Sequence, residues 1–264
     1  MKSYLGIFKT HFKGELQYRA RAFAGLFTQG FWGIMYVFLY TAFMRGGMEG
    51  FSISQMTSYV WLGQAFFALR LLDTPKHLTG EITSGNICYR FTRPINLYNQ
   101  WFAEYLGERL SMTLLRSVPI ILITLLLPKN YGLSLPVSLG AFGLSILALA
   151  IGALIISALS MIAVYLTFRT LNSKGSLAIV SVISGLLGGI FIPLPLMPQA
   201  VQNVLYWLPF RYISDLSFRL YIGNVGILAG LTQIGIAAAW LVILVIVGKL
   251  LMKRALKKVV VQGG

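Results

Sequence analysis

Long apolar runs alternate with short polar connections along the whole chain, and the runs are too long for the faces of soluble helices. Apolar blocks cover residues 22–44, 51–69, 104–127, 138–168, 175–192 and 226–248, and all but 104–127, with its polar start and Arg116, are free of charge. About 20 mostly apolar residues are enough for a helix to cross a hydrocarbon core about 30 Å thick, so these six blocks predict six spans. Residues 1–21 follow a different pattern. Leu5, Phe8, Phe12 and Leu16 recur at spacings of three and four, while Lys2, Lys9 and Lys13 share a neighbouring face, which predicts an amphipathic helix in the membrane interface or, equally, a basic juxtamembrane tail.

Three departures from plain apolar character carry the remaining information. The early part of the 51–69 block contains Ser52, Ser54, Gln55, Thr57 and Ser58, a polarity that suits contact with other helices or with a water-accessible path. That block closes near Arg70 to Asp73. Residues 73–100 form the longest polar connection, with Gly80, Glu81, Gly85, Arg90, Arg93 and Pro94 inside it. Residues 193–220 open with Pro193, Pro195 and Pro198, and Pro209 follows, so no straight helix can continue there. Tyr206, Trp207, Phe210 and Tyr212 populate the same stretch and predict a broken-helix, re-entrant or interfacial hairpin, whose aromatics either anchor it at headgroup level or help to gate a path.

Composition agrees with the pattern. Of 264 residues 57% are hydrophobic and only 11% charged, against about 25% charged in ordinary soluble domains. The fold class is therefore an all-α membrane protein, forming one transmembrane domain with no room for a separate soluble core. The net charge of +15 lies beside the apolar blocks, in residues 1–21, 70–109, 169–174 and the tail 249–264, so it is read as orientation against lipid rather than as a nucleic-acid surface. Both termini and the 73–100 connection then face the cytoplasm. No short apolar core with a cleavage site stands at the N-terminus, so the first helix is expected to remain in the mature chain.

Candidate chemistry is sparse. The single cysteine, Cys88, excludes an intrachain disulfide, and His11 and His77 have no metal-ligand spacing and are read as incidental polar residues. No GxxxxGK[ST], HExxH, GxSxG or CxxC sequence occurs, so the chain is not expected to be an enzyme or to hydrolyse nucleotide through such a loop. Glu104, Glu108 and Arg109 mark the polar start of the 104–127 span, and no acidic residue is placed at mid-membrane. Arg116 lies about 12 Å further along that helix than Glu108. It either snorkels towards Glu108 or a lipid phosphate, or contacts an anionic or amphiphilic substrate in an inward cavity. Small residues repeat on one face at Ala148, Gly152 and Ser160 and on another at Ser181, Gly185 and Gly189, which permits close helix packing.

Two stretches, in this order within a six-span layout, resemble the permease subunits of ABC-2-type exporters. The first is Gly80-Glu81-Ile82, Gly85 and Arg93-Pro94, which is similar to the coupling loop of the branch whose small permeases work with a separate ATPase. The second is residues 193–198 followed by Leu208-Pro209-Phe210, similar to the hairpin between the last two spans. The resemblance implies a multi-pass protein of a prokaryotic plasma membrane and two partners: a soluble ATPase dimer that carries the ATP and Mg, and a second permease, identical or dissimilar. This chain then needs no cofactor of its own. Residues 80–94 would be the handle, with Glu81, Arg90 and Arg93 offering charged contacts, Ile82, Ile87 and Phe91 packing against the partner or the bilayer, and the glycines and Pro94 bounding a short helix. A stand-alone ion-coupled carrier or channel is the alternative.

Overall fold

The computed structural model describes residues 2–45, 51–70, 72–92, 94–128, 130–170 and 173–257. Arg93, the turn at 46–50 and the tail beyond 257 lie outside the described residues, as does the side chain of Phe91. The described residues are helical or in turns and loops, with no strand among them.

Helix α1 (Lys2–Leu16) packs along the first half of α7 (Leu97–Leu125). The two backbones meet at Gly107, where an added Cβ would stand 2.6 Å from the Phe8 carbonyl oxygen, so only glycine permits this crossing. Helix α2 (Arg19–Arg45) runs beside α3 (Ile53–Ala65). Ser52 starts α3 with a capping box: its hydroxyl accepts from the Gln55 amide and its own N–H donates to the Gln55 side chain. The polar residues of α3 indeed face other parts of the protein. Ser54 bonds to Ser134, Thr57 donates to the Asn130 carbonyl, and Gln55 donates to the Ile222 carbonyl.

The block that closes near Arg70 is kinked at Phe66, after which α4 (Phe67–Arg70) continues. Contrary to the flanking position expected for it, Arg70 is buried, because the chain following α9 (Ser173–Leu187) folds over it and supplies the Gly188 and Gly189 carbonyls as acceptors. Helices α5 (Lys76–Thr83) and α6 (Cys88–Phe91) precede α7. Asn96 caps α7 by accepting from the Asn99 amide.

Helix α8 (Leu139–Thr170) is the central element. It contacts α7, α9, α11 (Asp215–Tyr221) and α12 (Ile227–Leu256). Gly152 on its small-residue face receives the hairpin directly: a Cβ there would lie 2.1 Å from the Ile213 carbonyl oxygen. Helix α9 ends at Leu187, and Gly189 takes a positive φ of 73°, a conformation that glycine adopts without strain. A short 3₁₀ turn (Leu194–Leu196), α10 (Gln199–Tyr206), a second 3₁₀ turn (Pro209–Ile213) and α11 complete the broken stretch. Pro193 and Pro198 flank the first turn, Pro195 lies within it and Pro209 opens the second.

Among the described residues α2 (over Phe23–Met44), α8 and α12 are long and apolar enough to cross a membrane by length and composition. The remaining elements are kinked, charged or short: α7 is 29 residues long but carries Glu104, Glu108, Arg109 and Arg116, and α9 has 15 residues. Three apolar clusters follow one another along α7. Leu97, Tyr98, Trp101 and Tyr105 pack with Leu78, Ile82 and Ile87; Leu106 and Leu110 pack on the α8 core; Ile120 packs with Tyr59, Leu133 and Phe218. Tyr98 and Ile120 are about 33 Å apart along that helix, so the α5–α6 element and the α11 end of the fold are separated by about the thickness of a hydrocarbon core.

Candidate functional site

The 80–94 stretch folds as part of a larger joint than its polarity suggested. The first helix starts four residues earlier, at Lys76, so Gly80 is an interior residue of α5 and not its boundary. Gly85 supplies the break with a φ of 76°, and the Ile87 amide donates back to the Glu81 carbonyl at 3.1 Å, folding α6 against α5. Ile82 and Ile87 are buried within this chain, against Leu78, Leu97 and Trp101, and are not available to a partner or the bilayer. The reason is amphipathicity: α5 has one apolar face, Leu78 and Ile82, which with Ile87 at the start of α6 packs on α7 and α8.

Glu81 and Arg90 also bond inside the chain. The Arg90 guanidinium donates through Nε and Nη2 to both Glu81 oxygens at 2.8 Å, a two-pronged fork, and through Nη1 to Glu104 at 2.6 Å. Glu104, only 2% exposed, also accepts from Gln100 at 2.9 Å and lies 3.4 Å from His77 Nε2. These bonds, the Glu81 fork foremost, hold the Arg90 guanidinium further into its charged range. One turn along α7, Glu108 lies 2.8 Å from His11 Nδ1 and 3.9 Å from His77 Nδ1. The two imidazoles stack with ring centroids 6.0 Å apart. His11 and His77 are therefore not incidental: they tie α1 and α5 to a pair of α7 carboxylates. Deeper along α7, Arg109 is buried, donates to the Ala68 carbonyl at 2.6 Å and pairs with Asp73.

Cavities of about 840 and 860 Å³ open on either side of this network. Thr10, Asn86 and Tyr89 line the first; Lys76, Thr79 and Glu15 line the second. Thr83, Ser84, Gly85, Asn86 and Thr92 are exposed, and Tyr89 projects with 73% of its surface free. Tyr89 was not singled out by sequence reasoning.

The hydrogen bond to Glu108 raises the pKa of His11, the largest of several influences that include opposing desolvation. A group with a raised folded pKa stabilises the fold fully below its unfolded value, about 6.5, and loses that contribution as pH rises through the folded value. Helix α1 is thus expected to dock more loosely at pH 8.5 than at pH 6. Both partners are partly exposed, which limits the effect to about 0.5 kcal/mol. Hydrogen exchange of α1 at the two pH values checks this, with His11→Gln expected to remove most of the difference.

The hairpin aromatics divide into two groups. Tyr206 and Trp207 pack edge to face at 5.3 Å, and Trp207 is 65% exposed, whereas Tyr212 is fully buried and Phe210 packs on the central core. Arg211 stands 5.3 Å over the Tyr206 ring. Arg116 packs against Gly25 of α2, where a Cβ would lie 2.9 Å from its Nε, while Glu108 is engaged by the histidines. Asp215 opens α11. It is completely buried, where Tyr59 donates to it at 2.7 Å and Arg211 and Arg219 approach within 3.2 and 3.1 Å.

Residues 30–263 match the family model described as ABC-2 family transporter protein. No curated protein sequence matches the chain. The chain belongs to the ABC-2 transporter family, as a multi-pass membrane permease component and not the ATPase of such a system.

Proposed function

We propose that this ABC-2 permease is the transmembrane subunit of an ATP-binding-cassette exporter and moves a hydrophobic or amphiphilic substrate outward. ATP, with its Mg, is hydrolysed on a separate soluble ATPase dimer, and a second permease, a copy or a dissimilar chain, completes the pathway. Six spans with both termini in the cytoplasm fit this reading: α2, α8 and α12, together with the kinked α3–α4, the charged α7 and the short α9.

The observation that carries the proposal is the Arg90 fork. It fastens α5 and α6 to Glu104 of α7, a helix about 43 Å long, so a push on the exposed rim around Tyr89 reaches α7 as a rigid displacement. Contacts with the ATPase then come from the uncharged polar rim around Tyr89 and not from Glu81, which is already engaged. Arg116, which packs against Gly25 of α2, stays a candidate substrate contact on α7, and Tyr206, Trp207 and Phe210 stay gate candidates at the far end.

The stand-alone carrier is separated by one reconstitution. Purified protein in liposomes, loaded with a fluorescent amphiphile, is expected to transport only when the ATPase and ATP are both present. Gradient-driven transport by the chain alone would overturn the exporter reading.

A further inference from the structure

Between α2, α3 and the chain after α9 lies a small polar cavity of about 30 Å³. Tyr36 and Tyr40 of α2, Gln64 of α3 and Arg70 give it polar groups, and Val60, Ile190 and Pro193 are among its apolar walls. A water needs about 10–15 Å³ of such space, so this cavity admits a water or a chloride-sized ion and is too small for a phosphate group.

The electrostatics favour an ion. Arg70 is 6% exposed; one terminal nitrogen donates to the Gly188 and Gly189 carbonyls, and its Nε has no partner. A guanidinium stays protonated, and leaving it buried without a counter-charge is expensive. Among the described residues no carboxylate forms an ion pair with it, because Asp215 is taken by Arg211, Arg219 and the Tyr59 hydroxyl. The group as a whole holds three guanidiniums, Arg70, Arg211 and Arg219, against one carboxylate. Carbonyl dipoles at the end of α9 meet part of the demand on Arg70, but they are neutral. The Tyr36 and Tyr40 hydroxyls, the Gln64 amide N–H and the unpartnered Arg70 Nε–H can all donate to an anion, and the fixed charge of Arg70 disfavours a cation.

We propose that this cavity binds a small monovalent anion, either a chloride ion or the carboxylate end of an amphiphile, with Arg70 as its counter-charge. The site does not depend on ATP coupling, so its failure would leave the exporter reading intact.

The test uses the full chain in nanodiscs at constant ionic strength, with gluconate as the inert anion. Replacing gluconate by chloride is expected to raise the thermal midpoint saturably, and Arg70→Gln is expected to weaken the apparent affinity about tenfold or more, as for loss of a hydrogen bond to a charged group. If chloride is silent but octanoate raises the midpoint and octanol does not, again with dependence on Arg70, the occupant is a carboxylate end. No response to either anion, or the same response in Arg70→Gln, would overturn the proposal. Should Arg70→Gln not fold, Tyr40→Phe leaves the carbonyl bonds of Arg70 in place and is expected to weaken the anion response several-fold. An unchanged response in that variant would equally overturn it.

Discussion

Asp215→Ala is expected to destabilise the protein by about 3–5 kcal/mol, the range for removing one partner of a buried ion pair. Asp215 is entirely buried and is, among the described residues, the carboxylate paired with both Arg211 and Arg219, so its loss leaves two guanidiniums with uncompensated charge. Neither arginine can escape by losing its proton. The consequence is structural before it is functional. Arg211 belongs to the second 3₁₀ turn and Arg219 to α11, while Tyr59 reaches Asp215 from α3, so this carboxylate fastens the broken stretch to the rest of the bundle. Tyr59→Phe removes a single hydrogen bond to a charged group and is expected to cost less, about 1.5–3 kcal/mol. Denaturant unfolding in detergent ranks the two variants, and equal stability of Asp215→Ala and the unsubstituted protein would show that the hairpin is held by packing alone.

Arg90→Ala is expected to have the second large effect, on coupling. It takes from Glu104, which is 2% exposed, its guanidinium partner and frees Glu81, so α6 loses the fork that ties it to α5 and to α7. Gln100 and His77 still reach Glu104, which keeps the helix folded. Transport should fall at least about tenfold, the effect of about 1.4 kcal/mol lost from the driven step, while the ATPase still docks and hydrolyses. Arg90→Lys retains the charge but cannot form the two-pronged fork, so an intermediate loss is expected.

Much of this architecture could be read along the chain. The apolar blocks, the proline break after α9, the inward polar face of α3 and the close packing at Gly152 all follow from local pattern, because span length, backbone chemistry and small-residue spacing act within a few turns of helix. The joint was visible only in part. A short polar segment reads as surface, and the expectation that Ile82 and Ile87 faced outward came from treating it as one unit; two short amphipathic helices instead bury one side. Pairings across long separations were beyond local reading. His11 and Glu108 are 97 positions apart, and Tyr59 and Asp215 are 156 apart. Neither lone histidines nor one acidic residue in a hairpin carries a periodic signal. Arg70 misled for a related reason: a cation beside a polar connection normally flanks a span, and only the carbonyls that follow α9 bring it inside.

In the proposed mechanism residues 80–94 pass the work of a separate ATPase through the Arg90 fork to α7. The most direct test is the number of substrate molecules moved per ATP hydrolysed, measured on the same proteoliposomes for the unsubstituted protein and for Arg90→Ala. A ratio that falls about tenfold with hydrolysis maintained is the predicted result. An unchanged ratio would contradict it, and would mean that force reaches the membrane helices by another route.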